Sequence, residues 1–204
     1  MPFVKSNISA VQSNTEEESV ATWLAQLDHP QASERRHAAI QLAKVSGASK
    51  ALSARLWKES DASVREVIIT AMVAQRDKVT LDTLIACLRT EDANLRNEAI
   101  EAIKNLPNEI GPHIDSLLAD ADADVRIFTV NILHTLPHPD TERWLCRLLH
   151  SDHNPNVCGA ALDVLAEMGS TNCAPHIQAA LTRFPDEPYL QFAGQLALKR
   201  VTQG

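Results

Sequence analysis

Along most of the chain, apolar residues fall into two alternating kinds of short stripe. Each stripe has the three- and four-residue spacing of one helix face. The first kind runs Val20, Trp23, Leu24 and Leu27, and returns as Leu81, Leu84, Ile85 and Leu88. It comes again as Ile110, Ile114, Leu117 and Leu118, as Trp144, Leu145, Leu148 and Leu149, and as Ile177, Ala180 and Leu181. The second kind follows an Asp or a residue standing in its place. These anchors are Gln31, Asp61, Asp92, Asp122, Asn154 and Glu187, at intervals of 30, 31, 30, 32 and 33 residues. Eleven positions past each anchor come Leu42, Met72, Ile103, Leu133, Leu165 and Leu198, apolar every time. Eight past come Ala39, Ile69, Ile100, Val130, Leu162 and Gln195, and fourteen past come Val45, Gln75, Leu106, Leu136, Met168 and Val201. Gly47, Pro107, Pro137 with Pro139, and Gly169 punctuate the series. The pattern predicts six helix–turn–helix repeats, at about 16–47, 48–77, 78–107, 108–138, 139–170 and 171–204.

One such hairpin cannot bury both of its apolar stripes, whereas stacked neighbours can. The expected fold is all-α, an α-solenoid forming a single domain over 16–204. Residues 1–15 are polar and aperiodic, and are expected to be a flexible tail.

The segments "ASERRHAAIQLAKV" and "DANLRNEAIEAIKNL" resemble HEAT-like repeats of the short bacterial type, also found in phycobilisome bilin lyases, and the resemblance covers about residues 16–203. It implies a right-handed solenoid whose second helices line a concave surface. It implies little about function, because such arrays serve as scaffolds, enzyme subunits and adaptors.

Four positions past the anchors come Arg35, Arg65, Arg96, Arg126, Cys158 and Gln191. An anchor Asp at the start of a helix can accept from the free N–H groups of its first turn and faces the positive end of the dipole. The Arg one turn later is in reach of a carboxylate of its own or the next repeat. The Asp and Arg columns are therefore expected to cap helices and set the stagger between repeats, rather than form a basic stripe for anions. Cys158 and Gln191 break the rule, so a different stacking is expected in the last two repeats.

Composition narrows the partners. Net charge is −7 and pI about 5.6, which disfavours nucleic acid. No apolar run is long enough for a membrane span, and the first residues lack the apolar core of a secretory signal. Four cysteines without a C-x-x-C pair fit reduced thiols in a cytoplasmic protein. Cys87 and Cys173 fall beside apolar residues and are expected in the core, and Trp23, Trp57 and Trp144 are expected to pack between repeats.

No Gly-rich phosphate loop and no G-x-S-x-G elbow is present. The fifth repeat reads "CRLLHSDHNPNVC", which brings Cys146, His150, His153 and Cys158 close in sequence as candidates for a Cys2His2 metal site. A segment that already has a repeat fold does not need a metal to organise it. No metal, cofactor or catalytic activity is expected.

Columns 5, 9 and 12 of the second helices point away from the core stripe. They supply the candidate protein-binding residues Arg36, Glu66, Thr70, Asn97, Glu101, Ile127, Asn131, His134, Asp163, Phe192 and Leu196. Glu66, Glu101 and Asp163 lend this face acidic character, suited to a protein partner with a basic or mixed surface. The expected function is a non-catalytic scaffold, adaptor or assembly factor, with no nucleic acid and no membrane. The alternative that the resemblance implies is a subunit of a bilin-lyase-like enzyme.

Overall fold

The computed structural model describes residues 19–136 and 138–203, and no strand occurs among them. The tail expected over 1–15 and the breaker Pro137 lie outside the described residues. The first helix, α1, is described over 19–26. It is followed by α2 (Ala32–Leu42), α3 (Ser49–Leu56), α4 (Ala62–Gln75), α5 (Lys78–Cys87) and α6 (Ala93–Ile103). Then come α7 (Pro107–Ile110), α8 (Ile114–Leu118), α9 (Ala123–Thr135), α10 (Thr141–Ser151), α11 (Pro155–Met168), α12 (Ala174–Arg183) and α13 (Pro188–Gln203). Contacts group the chain into two compact units, Met1–Ala102 and Ile103–Gly204, where the repeat pattern alone suggests one domain. Each helix pair touches chiefly its neighbours, so contacts in such a chain are local in sequence.

Within each compact unit the helices form two layers. In the first, α2 packs on α4 and α3 on α5, with α3 against α4 joining the layers. In the second, α9, α11 and α13 stack in series, as do α8, α10 and α12. The eleventh column supplies the middle of this core: Leu42, Met72, Ile103, Leu133 and Leu165 are fully buried. Each such side chain contributes about 1.5–3 kcal/mol by leaving water. In the last repeat no described helix follows α13, and there Leu198 is half-buried and Gln195 is exposed.

The anchors act as helix caps. The Asp61 carboxylate accepts from the N–H groups of Ser63 and Val64, and Asp92 from those of Asn94 and Leu95. Asp122 accepts from the Asp124 N–H, and Asn154 from those of Asn156 and Val157. A cap such as Asn154 contributes about 1 kcal/mol. Gln31 makes no side-chain cap.

Three departures from the pattern have local causes. The first helix of repeat 4 is not continuous, because a 3-10 turn at Gly111–His113 separates α7 from α8. Pro112 lacks the N–H that would continue the α ladder there. Pro107, read as a breaker, instead occupies the first turn of α7, where its missing N–H costs nothing. The turn between α4 and α5 contains neither Gly nor Pro. Arg76 itself takes the left-handed conformation at φ 50°, and Asp77 then caps α5 through the Thr80 N–H. Gln75, polar in an otherwise apolar column, donates its amide to the Leu42 and Ala43 carbonyls at the end of α2.

Gly194 of α13 lies against Leu181 of α12. A methyl group there would come within 2.5 Å of Leu181 Cδ2 and 2.9 Å of its Cγ. Gly194→Ala is therefore expected to destabilise the protein by about 1–3 kcal/mol, read as a lower midpoint in a urea melt. An unchanged midpoint would mean that the two helices are not in such close contact.

Candidate functional site

Three of the four column arginines, Arg35, Arg65 and Arg126, are tied into ion pairs rather than displayed. Arg35 is buried and meets Glu59 of the next repeat through two parallel bonds, Nε to Oε2 at 2.7 Å and Nη2 to Oε1 at 2.8 Å. Its remaining nitrogen donates to the carbonyls of His29 and Pro30. Arg126 repeats the arrangement, bonding both oxygens of Asp152 at 2.6 and 3.1 Å and donating to the Asp120 and Ala121 carbonyls. Arg65 reaches Asp92 and Glu98 of the next repeat at 3.2–3.4 Å. Arg96 donates to the Thr90 carbonyl in the turn before its own helix. The guanidinium of Arg35, Arg96 and Arg126 thus satisfies backbone carbonyls where a first helix ends, and that of Arg35, Arg65 and Arg126 a carboxylate one repeat on.

A second column, two residues before five of the six anchors, completes the turn. His29 Nδ1, Glu59 Oε1, Thr90 Oγ1, Asp120 Oδ1 and Asp152 Oδ1 each accept the N–H of the anchor that follows. At Glu59 and Asp152 the same carboxylate also receives the arginine of the preceding repeat. Glu59 is further bonded by Arg55 at 2.8 Å and its side chain is fully buried. Burial alone would raise its carboxyl, but the hydrogen bonds from Arg35, the Asp61 N–H and Arg55 outweigh that and hold it at about 2. Hydrogen bonding to these carboxylates likewise raises Arg35 and Arg126 above the usual guanidinium value.

The last two repeats keep these bonds by other means. Gln191 donates its amide to the Leu181 and Phe184 carbonyls, as an arginine in its column would. The Cys158 thiol makes only a 3.5 Å contact with the Asp152 carbonyl. Arg183, from the following repeat, supplies the missing charge and donates to the carbonyls of Leu149, His150 and Asp152. The expected change of stacking is therefore an exchange of donor.

With the arginines occupied, the second-helix face is what remains open. In the first compact unit Glu66, Thr70, Asn97 and Glu101 are exposed, and Arg36 is half-buried with its guanidinium on the Ser63 hydroxyl at 2.7 Å. Ile40, on the same column as Thr70, is also exposed. In the second unit Asn131 and His134 are exposed, His134 lying 2.9 Å from Glu167. Ile127 is half-buried, so it is less available than its column suggests. Phe192 is 68% exposed and Leu196 39% exposed, one turn apart on α13.

Tyr189, 59% exposed, extends that stripe one turn earlier. Its ring approaches to 3.0 Å of where a Gly159 side chain would begin, and its hydroxyl donates to Asp163 at 2.6 Å. That bond raises the tyrosine hydroxyl above its usual value. Gly159 is accordingly buried, although its column otherwise points outward. A glycine inside a helix, aligned with Ile127 and Phe192, was the available signal that a neighbouring ring lies over it.

The four residues of the fifth repeat do not converge. Cys146 and Cys158 are buried, with different neighbours: the Cys146 thiol meets Cys173, and Cys158 faces the Asp152 carbonyl. His150 and His153 are exposed, the His150 ring standing edge-on to His176. Among the described residues no group of three or more His, Cys, Asp or Glu side chains is placed to hold a metal ion. Cys87 and Cys173 are core residues, and burial pushes the Cys87 thiol up to about 12. Trp144 is buried against the His138 ring, whereas Trp57 is exposed at the end of α3 and does not fill the packing role expected of it.

Stacked helix pairs, with side-chain caps on four of the second helices and polar ties at the turns, define an α-solenoid of short helical repeats. The chain belongs to the HEAT-repeat family, whose model matches residues 20–104 and 112–199. Two engineered proteins of known structure are each 20% identical over 91% of this chain. The likeness covers 97% and 99% of their own chains, with TM-scores of 0.40 and 0.42. The complex of CpcE and CpcF of phycocyanin lyase from Nostoc sp. is 17% identical, covering 89% of this chain and 94% of that one, with a TM-score of 0.38. No curated protein matches the chain in sequence. No helix among the described residues is long and apolar enough to cross a membrane.

Glu59 gives the turn a pH signature. Its carboxyl titrates lower in the folded protein than in the unfolded chain. Its contribution is therefore complete above about pH 4.3 and is lost as pH falls toward its folded value. Glu59→Gln is expected to lower stability at neutral pH by about 3 kcal/mol, because two arginines then face an amide. It should also flatten the fall in urea midpoint between pH 5 and pH 2. A variant as acid-sensitive as the wild type would remove Glu59 from this role.

Proposed function

We propose that the protein is a non-catalytic interaction scaffold, an adaptor or assembly factor that binds a protein partner through the second-helix face. The observation that carries this reading is the Tyr189–Phe192–Leu196 stripe. Three large side chains lie at helical spacing on the solvent side of α13, and Phe192 contacts water over two-thirds of its surface. Apolar groups of this size left in water are unfavourable unless a partner covers them, and aromatic residues are the commonest anchors of protein interfaces. Asp163 and Glu167 lie on the adjacent helix, His134 pairs with Glu167, and Lys199 continues the α13 face. This mixed rim suits a partner with a basic or mixed surface. Membership of the HEAT-repeat family supports the reading, since arrays of this kind present extended surfaces to other proteins.

The polar chemistry of the described residues points the same way. Arg35, Arg65 and Arg126 are held by carboxylates, so this column offers no row of free positive charge to phosphates. The cysteine thiols are buried and their values are raised, which is opposite to what a nucleophile needs.

The test is affinity capture from cells that express the protein, comparing wild type with Phe192→Glu/Leu196→Glu. Both side chains are exposed, so the variant should keep its helical circular dichroism. Captured partner is expected to fall by about tenfold or more. Equal recovery from both proteins would refute this surface. A visible absorbance shift on mixing the protein with phycocyanobilin would instead favour the bilin-handling alternative.

A further inference from the structure

The sulfur atoms of Cys146 and Cys173 lie 2.9 Å apart and are both buried, 27 residues from one another in sequence. This is closer than unbonded sulfurs ordinarily approach, and within about 1 Å of the bonded separation of ~2.05 Å. The proximity is held in place by its surroundings. Cys146 lies in the middle of α10, one turn after Glu142. The Glu142 carboxylate accepts from both the N–H and the hydroxyl of Ser170, at 3.0 and 2.8 Å. Ser170 caps the 3-10 turn Thr171–Cys173, and its carbonyl receives the Cys173 N–H at 3.0 Å. Glu142 therefore pins the turn that opens the sixth repeat against the first helix of the fifth, and this pin sets Cys173 beside Cys146.

We propose that Cys146 and Cys173 are a redox pair that closes to a disulfide, stapling the fifth repeat to the sixth. The oxidant is a low-molecular-weight disulfide such as oxidised glutathione. One cysteine thiolate attacks it, forms a mixed disulfide and expels one glutathione thiolate. The second cysteine thiolate attacks the protein sulfur of that mixed disulfide and expels the other. Two electrons pass from the protein sulfurs to glutathione, and the two thiol protons end on the two glutathione thiols. In the closed fold burial raises both thiols above their ordinary value, and Glu142 adds to this. The exchange is therefore slow in the folded protein and proceeds when the turn opens or while the chain folds. The two other cysteines take no part. Cys87 is in a different compact unit, and Cys158 is turned toward the Asp152 carbonyl.

The proposal concerns a modification of the repeat joint and is independent of which partner the face binds. It is tested by unfolding the protein in urea, refolding it in a mixed glutathione redox buffer, trapping free thiols with an alkylating agent, and analysing the product by mass spectrometry. The same is done with Cys158→Ser, since trypsin leaves Cys158 and Cys173 on one peptide, 148–183. The expected product has two alkylated cysteines in the wild type and one in Cys158→Ser, with a linkage between the Cys146 and Cys173 peptides in both. It melts about 5 °C or more above the reduced form, and Cys146→Ser abolishes both the linkage and the shift. Four alkylated cysteines, or a linkage involving Cys87 or Cys158, would overturn it.

Discussion

The structure depends on one constraint, the need to satisfy backbone groups where a first helix stops and a second begins. Every repeat leaves several carbonyls and N–H groups unpaired at that corner. Where the column arginine is present, the chain meets this with one cation and two acceptors, set at fixed distances from the anchor. Arg126 shows the full arrangement, with carbonyls of its own turn on one side and both oxygens of Asp152 on the other. Asp152 in turn accepts the Asn154 N–H, so the charge that holds one turn also shapes the next. Buried ion pairs of this kind stabilise little in net terms, but they penalise any register in which a charge loses its partner. That penalty, repeated along each compact unit, fixes how far one helix pair slides on the next.

Much of this was legible in the residues, for reasons that can be named. A short acidic side chain before a helix has few other uses, and Asp61, Asp92 and Asp122 do cap. The eleventh column is apolar throughout, because no other chemistry survives at the centre of the stack. What escaped notice was a role shared by unlike residues. His29, Glu59, Thr90, Asp120 and Asp152 have only an acceptor atom in common, so no identity pattern marks their column. Nor does any local pattern announce Arg183, which reaches from the next repeat to carbonyls 31–34 residues away.

The exposure of the second-helix face was legible in outline and differed in detail. Helical spacing placed Phe192 and Leu196 outside correctly, because their positions depend only on the phase of one helix. Ile127 and Gly159 depend on what neighbouring helices put over them, which spacing along one helix cannot reveal. Tyr189 was the residue to find. It lies across Gly159 and occupies Asp163, turning that candidate contact position into support for an aromatic edge. The stripe it begins lies on the exposed side of α13, away from the buried Leu190, Ala193, Ala197 and Val201.

If the arginine column is a structural tie and not a ligand site, the strength of a single tie is the most direct measure of the account. A double-mutant cycle on Arg126 and Asp152, using Arg126→Met, Asp152→Leu and the pair together, isolates it in urea melts. The account predicts that the single variants are each strongly destabilised and that the double variant recovers much of the loss, a coupling of about 2 kcal/mol or more. Effects that simply add, to within about 0.5 kcal/mol, would contradict it.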